Sequence, residues 1–170
     1  MIERLTSDEI LERVRTRPGG LIEIALDGNA DVDVLISTLH YGLAESEVSA
    51  KDRVAVVRGD FCETADDMFR EFAAVLQFPL YFGANWAAFA DSLGDNRTVE
   101  ETLVLVLSRA TSALIDEKSE QTGWLVQQLA AMAGESQPRY PESPSFTVIF
   151  VDTEAKLNEW HKKLPAEVGK

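Results

Sequence analysis

The chain has 170 residues, of which 16 are Lys or Arg and 29 are Asp or Glu, so its formal net charge is −13. This length fits one domain that can bury a core, and 45% hydrophobic with 26% charged residues is typical of globular proteins. The excess of acid argues against a nucleic-acid-binding protein, because phosphate contacts need clusters of Lys and Arg, and it suits a basic partner.

The sequence also predicts the compartment. Its one cysteine, Cys62, excludes an internal disulfide and is typical of a reducing environment. Residues 1–8 contain no uninterrupted apolar run, so we expect neither a signal peptide nor a membrane span. We therefore expect a soluble cytoplasmic protein.

The first part of the chain begins with a predicted helix and a predicted strand. Ser7 is the candidate N-cap of the helix, which Pro18-Gly19-Gly20 ends. Apolar residues then alternate with Glu23 over Leu21–Leu26. This alternation predicts a half-exposed strand with Glu23 on the solvent side.

A second helix follows, because apolar residues recur at helical spacing over Asp31–Tyr41. No strong linker separates this unit from the rest of the chain. We therefore expect residues 1–50 to form a helix–strand–helix extension that packs on residues 51–170 as an added layer of the same domain. Its strand can add a fourth strand to the sheet.

Three later segments predict strands that are buried on both faces. Each is short, rich in β-branched residues and apolar throughout; they are Val54–Val57, Leu103–Leu107 and Phe146–Val151. Helical patterns fill each gap between them, as right-handed parallel crossovers require. The predicted fold is therefore α/β, a three-stranded parallel sheet covered by helices with an extra N-terminal strand–helix unit.

The later helices have recognisable ends. Thr64 is the candidate N-cap of the first, and the second begins near Asn85. Thr122 is the candidate N-cap of a helix over Gly123–Ala133, and the last helix extends from about Glu154 to Lys163.

The most informative segment is Phe72–Ala90, which has 19 residues and no charge. Acid surrounds it, since nine acidic and two basic residues lie between Asp60 and Glu101, which is seven of the thirteen excess negative charges. Inside the segment, Phe78–Trp86 combines adjacent aromatic residues with a Pro and a Gly. This combination predicts a rigid joint between two helices.

The helix after this joint presents a candidate binding face. At 100° per residue, Trp86 lies on its buried side, whereas Ala87 and Asp91 lie together on the opposite flank. We therefore expect Asp91 to be exposed, beside Tyr81 and Asn85 at the start of the helix. An aromatic ring, an amide and a carboxylate on one rigid edge can anchor a basic cleft of another protein. The same pattern also fits a joint that only packs and an aspartate that is only solvated.

These motifs resemble the barstar family, whose members are small intracellular inhibitors of secreted bacterial ribonucleases of the barnase type. The resemblance covers about residues 53–151 and is carried by Phe78-Pro79-Leu80-Tyr81-Phe82-Gly83-Ala84-Asn85-Trp86 with Asp91-Ser92-Leu93. The preceding strand and helix, Gly20–Leu26 and Asp31–Tyr41, resemble the extension of longer members.

The resemblance implies a role for each residue of the joint. The second helix and the loop before it would plug the active site of a ribonuclease. Tyr81 and Asn85 would be contacts at the start of the helix, and Asp91 would be the carboxylate that imitates the substrate phosphate. Gly83 would permit the tight joint, and Trp86 would be a core residue.

The chain also departs from the family pattern. Family members commonly carry Asp at the position of Ala87 and often a larger residue at Ala90. Gln127 and Gln128 stand where an acidic contact is sometimes found, and Asp95 is the candidate to compensate for the missing charge. The predicted partner-binding residues are therefore Tyr81, Asn85, Ala87, Asp91 and Asp95.

Catalytic chemistry has no positive signal in the sequence. His40 and His161 are far apart, and Cys62 has no clear basic neighbour except Arg58. No Gly-rich phosphate loop follows a strand, and no Cys/His spacing fits a metal. We therefore expect no enzymatic activity, no catalytic residue, no cofactor and no metal, and no direct contact with nucleic acid or membrane.

The resemblance and the charge pattern together predict a cytoplasmic immunity-type protein that inhibits a basic ribonuclease, or a similar nuclease, by occluding its active site. Two alternatives stay open at this stage. One is a non-inhibitory interaction module on the same fold. The other is a hydrolase that uses clustered carboxylates, which would need two carboxylates facing each other across a pocket.

Overall fold

The computed structural model describes residues 1–16, 19–26, 28–44, 53–96, 102–134 and 145–164. Within these ranges the chain has five parallel strands, which are β1 (Ile2–Glu3), β2 (Gly20–Ala25), β3 (Arg53–Arg58), β4 (Thr102–Ser108) and β5 (Ser145–Asp152). The helices are α1 (Ser7–Thr16), α2 (Asn29–Ala44), α3 (Ala65–Leu76), α4 (Trp86–Asn96), α5 (Ser119–Gly134) and α6 (Glu154–Lys163). The α/β fold with a parallel sheet is therefore confirmed.

Helices cover both faces of the sheet, which explains why the central strands are apolar throughout. On one face, α1 and α2 pack against alternate residues of β2, β4 and β5; this cluster includes Ile10, Leu35, Ile24, Val104 and Ile149. On the other face, α3 to α6 pack against the intervening residues; this cluster includes Phe72, Phe89, Leu129, Leu105 and Phe150. The predicted binding helix thus lies across the sheet from the two N-terminal helices.

The predicted count of three strands, with a possible fourth, is wrong. Over the described residues, the sheet has five strands in the order β1-β2-β5-β4-β3. The N-terminal strand β2 pairs with the last strand β5 over its whole length, from Gly20↔Thr147 to Ala25↔Asp152. Strand β1 has only two residues and pairs with β2, so it is too short to give a hydrophobic period in the sequence.

The prediction that Glu23 faces solvent is also wrong, since only 9% of it is exposed. Strand β2 lies between β1 and β5, and α6 contacts it. From α6, His161 places its Nε2 2.7 Å from the Glu23 carboxylate. A buried carboxylate is tolerated here because it has a polar partner.

Two of the predicted N-caps are wrong, and α2 extends over Asn29–Ala44 rather than over the predicted Asp31–Tyr41. Helix α1 is capped by Thr6 rather than Ser7, because Thr6 Oγ1 accepts from the Glu9 N–H at 3.3 Å and the Thr6 N–H donates to the Glu9 carboxylate at 2.7 Å. This reciprocal pair is a capping box. Helix α5 begins at Ser119, so Thr122 is an interior, buried residue of the helix and not its cap.

The cap of α3 at Thr64 is confirmed, since its Oγ1 accepts from the Asp67 N–H at 3.2 Å. Helix α6 has the predicted bounds. Among the described residues, no helix combines the length and the hydropathy that crossing a bilayer requires.

Candidate partner-binding face

The joint between α3 and α4 starts with an abrupt stop of α3. Gln77 adopts a left-handed conformation with φ 56°, and its N–H donates to the Ala73 carbonyl. The Phe78 N–H donates to the same carbonyl at 2.9 Å. Both bonds satisfy the last turn of the helix and turn the chain sharply toward the loop.

Aromatic rings of the joint pack against one another and against α3 and α4. Phe78 and Phe82 pack edge to face with their centroids 5.0 Å apart, and Phe69 packs on Trp86 at 5.3 Å. Phe89 of α4 contacts Phe78 at 6.0 Å. Such edge-to-face contacts are specific in geometry, so the loop before α4 is held against both helices. A joint of packed aromatic rings between the two helices is therefore present, as predicted; its rigidity stays a prediction.

Asn85 caps α4, and the predicted start of this helix is confirmed. Its Oδ1 accepts from the Ala88 N–H at 3.0 Å, and its Nδ2 donates to the Gly83 carbonyl at 3.1 Å. Besides Gln77, the joint has a left-handed residue at Ala84, with φ 45°. Gly83 acts sterically instead, because a Cβ there would come within 3.0 Å of the Asn85 Nδ2.

The predicted partner-binding residues all lie on the surface. Tyr81 is 84% exposed, and Asn85, Ala87, Asp91 and Asp95 are exposed as well. Ala87 and Asp91 stand one turn apart on α4, as the helical period requires. The exposure that we predicted for Asp91 is therefore confirmed; its part in binding a partner stays a prediction.

Trp86 is half-buried and joins three helices. Its Nε1 donates to Gln121 Oε1 at 2.8 Å, and the Gln121 Nε2 donates to Glu117 at 3.3 Å. The Glu117 carboxylate also accepts from the Ala65 N–H, the first of α3, at 3.0 Å. This chain of hydrogen bonds fixes α4 to the first turn of α5 and to the start of α3.

The model of a protein family described as barstar (barnase inhibitor) matches residues 53–150, which is more than half of the chain. The chain belongs to the barstar family. All residues of the joint and of the α4 face lie inside the matched range. Membership in the barstar family was predicted from the same joint and is confirmed.

Solved structures from another group share the fold. The Aeropyrum pernix ORC2 protein in its ADP form has a TM-score of 0.67 at 13% identity, covering 96% of this chain and 44% of that chain. The structure of the same protein described as ADPNP-ADP complexes gives 0.64 at 13% identity, covering 95% and 43%. This chain spans less than half of those proteins, and the likeness shows the fold alone. No curated protein matches the sequence.

The resemblance to the barstar family did not identify Trp124 of α5 as a residue near the proposed face. This residue is 50% exposed, and its ring packs edge to face on Trp86 with the centroids 5.8 Å apart. The sequence carries little sign of its exposure, because Trp124 is followed directly by Leu125 and Val126, which are buried. The three residues form one apolar run in the sequence. Among the expected neighbours, Gln127 is exposed and Gln128 is half-buried.

Among the described residues, the cysteine and the two histidines singled out in the sequence lie apart from one another. Cys62 is buried, and burial together with the carboxylates of Glu71, Asp67 and Asp60 raises its pKa to about 12. His40 on α2 and His161 on α6 lie on opposite faces of the sheet. In the part of the chain that the structure describes, no three His, Cys, Asp or Glu side chains are grouped so as to hold a metal.

Proposed function

We propose that this barstar-family protein is an immunity-type inhibitor that occludes the basic active site of a ribonuclease in the cytoplasm. The observation that carries the proposal is the exposed carboxylate of Asp91, on a helix that the aromatic joint and the Trp86 hydrogen bond hold rigidly. A carboxylate fixed in this way can enter a cationic cleft without a large loss of conformational entropy.

Electrostatics support the same partner. The chain carries a net charge of −13, and acid is concentrated on both sides of the uncharged segment Phe72–Ala90. Clustered negative charge accelerates the approach of a basic protein, and this effect weakens with salt. An exposed carboxylate that becomes desolvated against Arg and Lys then contributes to the lifetime of the complex.

The proposed binding unit is residues 51–170, with residues 1–50 as an added layer that does not take part in binding. Two observations support this division. Strand β2 joins the sheet beside β5, and α1 and α2 pack across the sheet from α4. The N-terminal unit then stabilises the sheet and leaves the α4 face open to a partner.

The decisive experiment measures binding of the full chain to a barnase-type ribonuclease by calorimetry, and inhibition of RNA cleavage. We expect a 1:1 complex that weakens with salt. Asp91→Asn is expected to lower the affinity by about tenfold or more, because it removes a charge that is buried in the complex. Glu159→Gln, which neutralises an exposed acid on α6, is the matched control and should change the affinity less than about twofold. Equal effects of the two variants would contradict the proposed face.

A second candidate function is favoured by the surface around Asp91. Ala87 supplies no charge, and Leu80 beside Tyr81 is fully exposed, so this face is more apolar than an acidic inhibitor requires. A non-inhibitory interaction module would bind a less basic protein through it. The inhibition assay separates the two candidates, since a module leaves RNA cleavage unchanged at every concentration.

A further inference from the structure

Large exposed apolar side chains lie both in the joint before α4 and on α5. Leu80 and Tyr81 in the joint and Trp124 on α5 are large hydrophobic side chains that are at least half exposed. Trp124 contacts Trp86, which directly follows Asn85 of the proposed face. Trp124 thus contacts the first residue of α4 directly, and Trp86 links it to the helix that carries the proposed face.

Trp124 is also held in place before any partner binds. Its ring meets that of Trp86 at 79° with a centroid separation of 5.8 Å. Trp86 in turn donates a hydrogen bond to Gln121, which lies one turn before Trp124 on α5. An exposed tryptophan with a fixed ring loses little entropy on binding, and tryptophan is prominent among the residues that dominate interface energies.

The chemistry around Trp124 suits a cation. Glu120 is exposed and lies four residues before Trp124, hence on the same side of α5, and Gln127 three residues after it is uncharged. The π face of an indole attracts the guanidinium of Arg or the ammonium of Lys, most strongly when the pair is shielded from water. A basic ribonuclease supplies such groups around its active site.

We infer that Trp124 is an anchor of the partner interface and receives an Arg or Lys side chain of the ribonuclease on its ring. This inference rests on the proposed function. It gives the interface a second contact for positive charge, on α5, in a chain whose α4 carries Ala87 at the position where the family commonly has Asp. The interface then covers both helices that Trp86 links.

The test measures affinity of the full chain for a barnase-type ribonuclease with three variants. Trp124→Leu keeps apolar area but loses the π face, and it should weaken binding by about tenfold. Trp124→Tyr keeps an aromatic face and should stay within about threefold of the wild type. Tyr41→Ala removes an exposed aromatic residue on α2, across the sheet, and should have no effect. Urea unfolding of each variant verifies that it folds.

A spectroscopic readout accompanies the affinities. Trp160 is buried and Trp86 half-buried, so collisional quenching of tryptophan fluorescence by acrylamide reports chiefly on Trp124. Complex formation should protect the wild-type fluorescence more strongly than that of Trp124→Leu, in which Trp86 is the one tryptophan left at the proposed interface. Tight wild-type binding with equal affinities for Trp124→Leu and Tyr41→Ala overturns this inference alone. Absence of any wild-type binding overturns the proposed function and this inference with it.

Discussion

Trp86 donates its indole N–H to Gln121 Oε1 across 2.8 Å, and this bond joins the first residue of α4 to the first turn of α5. The two residues are 35 positions apart in the sequence, and the bond is partly buried. The orientation of the proposed binding helix thus depends on a polar contact as well as on aromatic packing.

Trp86→Phe tests the strength of this link. The variant keeps an aromatic ring against Phe69 but removes the donor, so Gln121 loses a partner. We expect the free energy of unfolding to fall by about 1–3 kcal/mol, from the lost hydrogen bond and the lost ring area. Urea denaturation measures it, with Tyr81→Phe as the control. Tyr81 is exposed, and its variant should stay within about 0.5 kcal/mol of the wild type. A similar stability of both variants would show that the indole bond contributes nothing.

Two threonines at helix starts provide a matched pair. Thr64 caps α3 through a hydrogen bond from its side chain to the Asp67 N–H, whereas Thr153 stands before α6 with no such bond. Thr64→Ala should therefore lower the free energy of unfolding by about 1 kcal/mol, and Thr153→Ala by less than half of that. Thermal unfolding of both variants checks the difference. Equal losses would mean that the Thr64 side chain does not act as a cap.

The strands that the sequence predicted are those with enough length to show a pattern. Val54–Val57, Leu103–Leu107 and Phe146–Val151 are apolar on both faces because helices cover both faces of the sheet. The two-residue strand β1 carries no such pattern. Glu23 was misplaced because α6 packs on β2 and places His161 against the Glu23 carboxylate. His161 lies 138 residues further along the chain, and no local period reports on such a contact.

In the candidate site as well, the features set by local periodicity could be predicted, and those set by contacts with distant residues could not. Helical periodicity placed Ala87 and Asp91 on one exposed flank, since both lie on one regular helix. It did not separate Trp124 from Leu125 and Val126, because the apolar stripe of α5 is wide. Which edge of such a stripe faces solvent is decided by the neighbouring helix, here through Trp86.

Asp60 predicts a pH dependence of stability. Its carboxylate lies 2.9 Å from Arg58 and 2.6 Å from Arg109, at the carboxyl ends of β3 and β4. Partial burial alone would raise the pKa of Asp60, but the hydrogen bond from Arg58 and the charge of Arg109 outweigh it and lower the pKa below the usual value. The folded state therefore binds this proton less readily than the unfolded state.

The sign of the effect follows from linkage. A carboxyl group with a lowered pKa stabilises the fold above its unfolded pKa, about 3.9, and the contribution is lost as the pH falls through the lowered value. The stability difference between wild type and Asp60→Asn should be constant from about pH 7 to 5 and shrink below about pH 4. Asp116→Asn, an exposed acid in a loop, is the control. A difference between wild type and Asp60→Asn that does not vary with pH would rule out the ion pairs as its source.

Ala87→Asp tests which partner the α4 face suits. Ala87 is exposed one turn before Asp91, so the new carboxylate adds a second negative charge to the proposed contact surface. Repulsion between these two acids costs only a few tenths of a kcal/mol in the free chain. Against a cationic cleft, the added charge should raise the affinity for a barnase-type ribonuclease by about tenfold and steepen its salt dependence.

The control for this variant is Ala155→Asp, which makes the same change in net charge at an exposed position of α6. Titration calorimetry at low and high salt compares the two variants with the wild type. A gain confined to Ala87→Asp supports a ribonuclease cleft that meets α4 directly. Equal gains would show long-range attraction only, and no gain in either variant would favour the non-inhibitory module, because a less basic partner has no cation to meet the new carboxylate.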